Sequence, residues 1–184
     1  SWSPRLKPPK VAPSPVLDPQ TSFAGAVGPA APEGEYRFRL IKGKDTFEGT
    51  VGVVYDPDFP HDKKDRAVQQ STVRELYDML ARLAYVSDAV GEAKEAAEER
   101  AEGLPEDDEL AQQLGTFAGD LGELQSRLMV TEKVQGIGGR RELREKLVRL
   151  YASIGFYGGR PTAAQLERMD YFRDGIATAN VDFT

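Results

Sequence analysis

The sequence contains no cysteine, a single histidine at position 61 and a single tryptophan at position 2. Without cysteine, disulfide staples and thiolate metal ligands are excluded. A Ser-His-Asp triad is formally open only through His61, and no Gly-x-Ser-x-Gly elbow accompanies it. No apolar run approaches the roughly 20 residues that a membrane-spanning helix needs, and no basic-then-apolar signal segment opens the chain. Cations are in deficit, with 24 Lys and Arg against 30 Asp and Glu for a formal net charge of -6. Phosphate backbones select surfaces with a surplus of Lys and Arg, so nucleic acid is not an expected partner.

The 184 residues that remain to be explained suffice for one domain or two small ones. Because the chain begins at Ser1 rather than methionine, it reads as a piece of a longer polypeptide whose targeting signal lies upstream.

Eight of the 12 prolines fall in residues 1–34. Each fixes its own φ, removes a donor and pushes its predecessor toward extended backbone, so this stretch is expected as an extended connector. Trp2, Leu6, Val11, Val16, Leu17 and Phe23 can pin it to a neighbouring surface. Residues 35–57 change to period two. Tyr36, Phe38 and Leu40 alternate with Arg37 and Arg39, Lys42-Gly43-Lys44-Asp45 supplies turn chemistry, and Phe47, Gly49, Val51, Val53 and Tyr55 alternate again. The expectation is a β-hairpin with one apolar face, which must meet further strands or the helices because two strands are marginal in water.

Residues 62–184 read as a helical bundle. Val73, Leu76, Tyr77, Leu80, Leu83, Ala84 and Val90 hold helical spacing in a first helix that fades into a solvated extension over residues 92–100. Gly103 ends it. Pro105 and the acidic residues 106–109 open a second helix, reaching about Lys133, whose Leu110, Leu114, Phe117, Leu121, Leu124 and Leu128 form the most regular apolar stripe in the chain. This seam is expected to organise the bundle. A third helix is expected from about Arg140, with Leu143, Leu147, Leu150, Tyr151 and Ile154 inward and the pairs Glu142–Lys146 and Glu145–Arg149 outward. Thr162 and Gln165 form a capping-box signal for a fourth helix lined by Leu166, Met169, Phe172 and Ile176. The fold class is therefore α+β: extended connector, hairpin, and an antiparallel bundle of about four helices.

Two features carry a family resemblance. Pro32-Glu33-Gly34-Glu35-Tyr36-Arg37-Phe38-Arg39-Leu40, the Lys-Gly-Lys turn and Val54-Tyr55-Asp56-Pro57 resemble the closing strands of an immunoglobulin-like module. With the helical hairpin and the Pro161-Thr162-Ala163-Ala164-Gln165 start, the chain resembles the C-terminal region of large secreted bacterial proteins with sortilin-like, Asp-box β-propellers, commonly named glycosyl hydrolases. The resemblance implies an exported protein, an immunoglobulin-like edge at residues 35–57, and any glycosidase-like or ligand site in propellers upstream of Ser1.

Four sets of residues invite chemistry. Asp56, Asp58, Asp62 and Asp65 share a loop and are metal-ligand candidates, although the Asp-x-Asp-x-Asp-Gly spacing and distal Glu of a calcium loop are missing and turn formation or helix capping explains them as well. Gly136-Ile137-Gly138-Gly139-Arg140-Arg141 before a helix suggests a phosphate cradle, but no strand precedes it; Arg140, Arg141, Arg144 and Arg149 read as a solvated helix face. The Glu run from Glu92 to Glu109 contains carboxylate pairs of the kind glycoside hydrolysis uses, here without a cleft. Phe156, Tyr157, Tyr171, Phe172 and Phe183 read as core and end-cap packing or a docking surface. No catalytic residue, cofactor or metal is assigned. The expected partners are upstream domains of the same polypeptide or another protein, with self-association a further option.

Overall fold

The structure is a computed structural model that describes residues 3–15, 26–58, 60–105, 107–131 and 142–183. It is α+β. Strands β1 (Gly34–Lys42) and β2 (Asp45–Val53) precede helices α1 (Lys63–Glu102), α2 (Glu109–Leu128), α3 (Leu143–Gly155) and α4 (Ala163–Phe183).

Helix α1 is the spine. Its N-cap Asp62 accepts a hydrogen bond from the Asp65 backbone N–H at 2.7 Å, and the 40 residues that follow rise about 60 Å without a break. The solvated extension expected after Val90 is thus continuous helix, and Ser71 and Thr72 lie two turns inside. Both hydroxyls bond back to the Val68 carbonyl, which removes their pull toward non-helical backbone. Leu76, Leu80, Leu83 and Val90 are among the most fully buried side chains of the molecule.

Helices α2 and α3 follow one another along this spine, both antiparallel to it. Gly91 faces Gln125 and Gly122 faces Lys94, which sets α2 against the second half of α1. Gln69 donates to the Ile154 carbonyl at 2.8 Å, which sets the end of α3 against the beginning of α1. Helix α4 runs parallel to α1, with Arg173 beside Glu75 and its last turns beside Val86. Thr162 and Gln165 bond reciprocally at its start, the capping box that the sequence signals.

The seam on α2 requires a correction. Leu121, Leu124 and Leu128 are buried, but Leu110 is 47% and Phe117 50% exposed. Among the described residues, α3 and α4 stand beside the second half of α2, at Leu124 and Leu128, and the stripe runs on beyond them. The helix also stops at Leu128 rather than Lys133, with Met129 extended. The third helix begins at Leu143 with Glu142 as its cap; the expected start at Arg140 lies outside the described residues.

The hairpin stands apart. Lys42 pairs with Asp45 across a two-residue turn in which Gly43, at φ 63°, takes the positive-φ position that a type II′ turn reserves for glycine. Tyr36, Phe38 and Leu40 pair with Val51, Gly49 and Phe47 on one face. Neither strand packs on a helix, contrary to the expectation that this face would meet one.

The spine and the overhanging stripe make opposite predictions for urea denaturation. Leu80→Ala is expected to cost about 2–5 kcal/mol and Leu121→Asp to unfold the bundle by burying an unpaired charge. Phe117→Asp should change stability by less than about 0.5 kcal/mol. Equal losses for Leu121→Asp and Phe117→Asp would contradict the revised seam.

Candidate functional site

The loop that holds Asp56, Asp58, His61 and Asp62 runs into α1, and Asp65, expected in the same loop, lies in the first turn of that helix because Asp62 caps it. Asp56 accepts from the Asp58 backbone N–H at 2.9 Å, Asp62 caps α1, and Asp65 lies 3.6 Å from Arg160. Short carboxylates here satisfy backbone donors and one guanidinium. Among the described residues no three His, Asp or Glu side chains gather as a metal site. The His61 ring stands edge-on to Tyr157 with centroids 5.1 Å apart, and Gly159 is closed in by both rings.

Around them the connector, hairpin exit and α1 are tied together by polar contacts. The Arg66 guanidinium lies 4.4 Å from the centre of the Tyr55 ring and 3.6 Å from Glu33, and Arg66 also donates to the His61 carbonyl. Gln70 donates to the Tyr55 hydroxyl, and Lys63 lies 3.8 Å from Glu33. The arrangement fastens three chain segments to one helix end, which is positioning chemistry. The hydroxyls of Ser71, Thr72, Thr116, Ser126 and Ser153 each bond a carbonyl of their own helix.

The Pro-rich connector is docked. Its two described stretches meet at an Arg5–Ala30 bridge, with Leu6 donating to Pro29 at 2.9 Å and Ala31 to Pro4 at 2.8 Å. Gly28 permits this approach, since a Cβ there would lie 1.9 Å from the Leu6 carbonyl oxygen. Pro9, Ala12 and Ala31 are buried, and Lys10 donates to Asp88 at 2.6 Å, which raises the Lys10 pKa. Trp2, Val16, Leu17 and Phe23, the other expected anchors, lie outside the described residues.

Two residues read from the sequence as solvated are buried. Arg144 donates to the Ala12 carbonyl at 2.9 Å and lies 3.5 Å from Glu145, which accepts from Ser14 at 3.1 Å. The connector, not water, faces this side of α3. Alternating charge in the sequence gave no signal of this, because an exposed helix face and a buried ion pair share the same pattern. The glycine-rich stretch 136–141 lies outside the described residues.

A concavity of about 760 Å³ runs between α1 and α4. Met79, Val86 and Ile176 form part of its lining. Arg173 bridges Glu75 at 2.6 Å and also pairs with Asp170. This groove had no counterpart in the sequence motifs. The aromatic set divides: Phe172 is buried, Phe183 is partly buried against the core, and Phe156 and Tyr157 after the end of α3 and Tyr171 within α4 are about half exposed. The Glu92–Glu109 run lies on the far end of α1 and the start of α2, away from the groove between α1 and α4.

Tyr151 gives the docked connector a pH signature. Its hydroxyl donates to the Val27 carbonyl at 3.3 Å, and burial, with a smaller contribution from Tyr77, pushes its pKa up to about 12. The folded state thus holds this proton more tightly than the unfolded chain, whose tyrosines titrate near 10. The associated stability is fully present below about pH 10 and is lost as pH rises toward 12. Tyr151→Phe should therefore show a shallower fall of the urea midpoint above pH 10 than the wild type. Parallel curves would show that Tyr151 does not carry the effect. Comparison of the chain with protein-family models, curated proteins and solved structures found no match in any of the three.

Proposed function

We propose that this chain is a non-catalytic accessory module that serves structure and protein interaction at the C-terminal end of a larger exported protein, as the resemblance to sortilin-like propeller proteins implies. One observation carries the reading. Phe38, Leu40 and Phe47 are 49%, 58% and 52% exposed on a single face of a hairpin that touches no helix. A two-stranded sheet with such a face is marginal in water, and further strands across it would supply the missing burial. Those strands belong, in this reading, to the immunoglobulin-like module that residues 35–57 complete. The polar contacts of Glu33, Tyr55 and Arg66 then hold the hairpin at a fixed place on the bundle, so that the helices act as its mount.

A second reading, a helical adaptor, is favoured by the uncovered stripe on α2. Both readings assign no chemistry to this chain. The purified protein is expected to release no product from aryl glycosides above the buffer blank. Turnover that disappears on substitution of a single carboxylate would contradict both.

A further inference from the structure

The groove between α1 and α4 is walled by interior stretches of two parallel helices. Residues 75–86 of α1 and 173–180 of α4 face each other across it, and both helices run on in either direction. The hollow is therefore set by side-chain size and not by where a helix stops. Ala81 and Ala177 are short, and a space of about 760 Å³ opens above the buried Met79, Val86 and Ile176. Cavities of roughly 300–1,000 Å³ with an apolar floor and a few polar groups suit small organic ligands.

Charge in the groove is unequally engaged. At one end the Arg173 guanidinium is held by Glu75 at 2.6 Å and by Asp170, and on the α1 wall Asp78 lies 3.7 Å from Arg74. Arg82 differs. It is exposed on the same wall, and among the described residues no ion pair or hydrogen bond holds its guanidinium. Tyr85 follows one turn on with 71% of its surface exposed, and among the described residues neither a hydrogen bond nor a ring contact engages it. A guanidinium fork matches a carboxylate in shape and charge, and a phenol ring beside it offers an apolar face.

We propose that this groove binds a small organic acid made of one carboxylate and an apolar body. The carboxylate pairs with Arg82, and the body lies over Met79, Val86 and Ile176 against the Tyr85 ring. The net charge of -6 does not forbid an anion here, because charges beyond about 10 Å are largely screened at 0.1 M salt and the nearest unpaired cation decides. An ammonium ligand sets its charge beside Arg82 and is disfavoured. An acid without an apolar body leaves the floor uncovered. The inference goes beyond the accessory-module reading and takes nothing from the hairpin, since the acid is bound and not turned over.

The test is an amide NMR titration of the full chain with octanoate, octanol and octylammonium. Octanoate should give saturable shifts centred on residues 75–86 and 173–180, octanol should bind about tenfold more weakly, and octylammonium should not bind. Arg82→Gln should lower octanoate affinity about tenfold and leave octanol unchanged. Ala177→Trp, which fills the hollow from an exposed position, should abolish binding of both, with the rest of the amide spectrum reporting an intact fold. Octylammonium binding as tightly as octanoate, indifference to Arg82→Gln, shifts centred on another surface, or no saturable shift would each overturn the proposal. So would dilution-dependent shifts of the same amides without ligand, which would mean that a second copy occupies the groove. Product release in the glycoside assay would leave all of these results as they stand, so the two readings fail separately.

Discussion

Everything in this molecule leans on the apolar stripe of one helix. Leu76, Leu80, Leu83 and Val90 of α1 are removed from water almost completely, and they meet α2, α3 and α4 in turn. Burial of such side chains contributes roughly 1.5–3 kcal/mol each, so four of them outweigh any surface ion pair in the structure. A helix of 40 residues offers more length than a 13-residue α3 or a 21-residue α4 can cover alone. The antiparallel succession of α3 and α2 along it follows from that mismatch.

The connector and hairpin obey a different constraint. Proline removes donors, so the connector makes few backbone hydrogen bonds, and it is held by what the bundle supplies: the Arg144 guanidinium on Ala12, Asp88 on Lys10, the Tyr151 hydroxyl on Val27. Arg144 and Glu145 are stable in the interior because each has a partner and the connector provides further bonds to both. Where the connector passes into the hairpin, Glu33 meets Arg66 and Lys63 and the chain then leaves the bundle. Beyond that point the hairpin is held mainly by its own cross-strand pairs, among them Arg39 with Glu48 at 2.8 Å, and the Tyr36 hydroxyl donates back to the Pro32 carbonyl at 2.8 Å.

The periodicities of the sequence carry the fold class, the hairpin register and the inner faces of α1, α3 and α4, because burial on one face writes a period of two or 3.6 directly into the residue order. Thr162 and Gln165 act as the cap their spacing announces. The extent of burial is not written there. Leu110 and Phe117 keep the same period as Leu121 and Leu124, yet the first two are about half exposed and the last two buried, a difference in tertiary neighbours that a period does not record. The outward reading of Arg144 and Glu145 failed for the same reason: their neighbour is the connector, more than 120 residues earlier in the chain. His61, Asp56, Asp58 and Asp62 were legible as loop residues, whereas Asp65 is helical because the cap at Asp62 starts α1 before it. The groove between α1 and α4 arises from two helices far apart in sequence and left no local signal.

The central claim is that α1 is a single spine, with the hairpin and the outer half of the α2 stripe left exposed beside it. Residue-resolved amide hydrogen exchange of the whole chain tests it most directly. The account predicts the slowest exchange over Val73–Val90, with the amides of residues 36–51 and 98–115 exchanging by local opening at far lower free energy. Hairpin amides as slow as those around Leu80, or a break in protection within α1 between Leu83 and Val90, would contradict it.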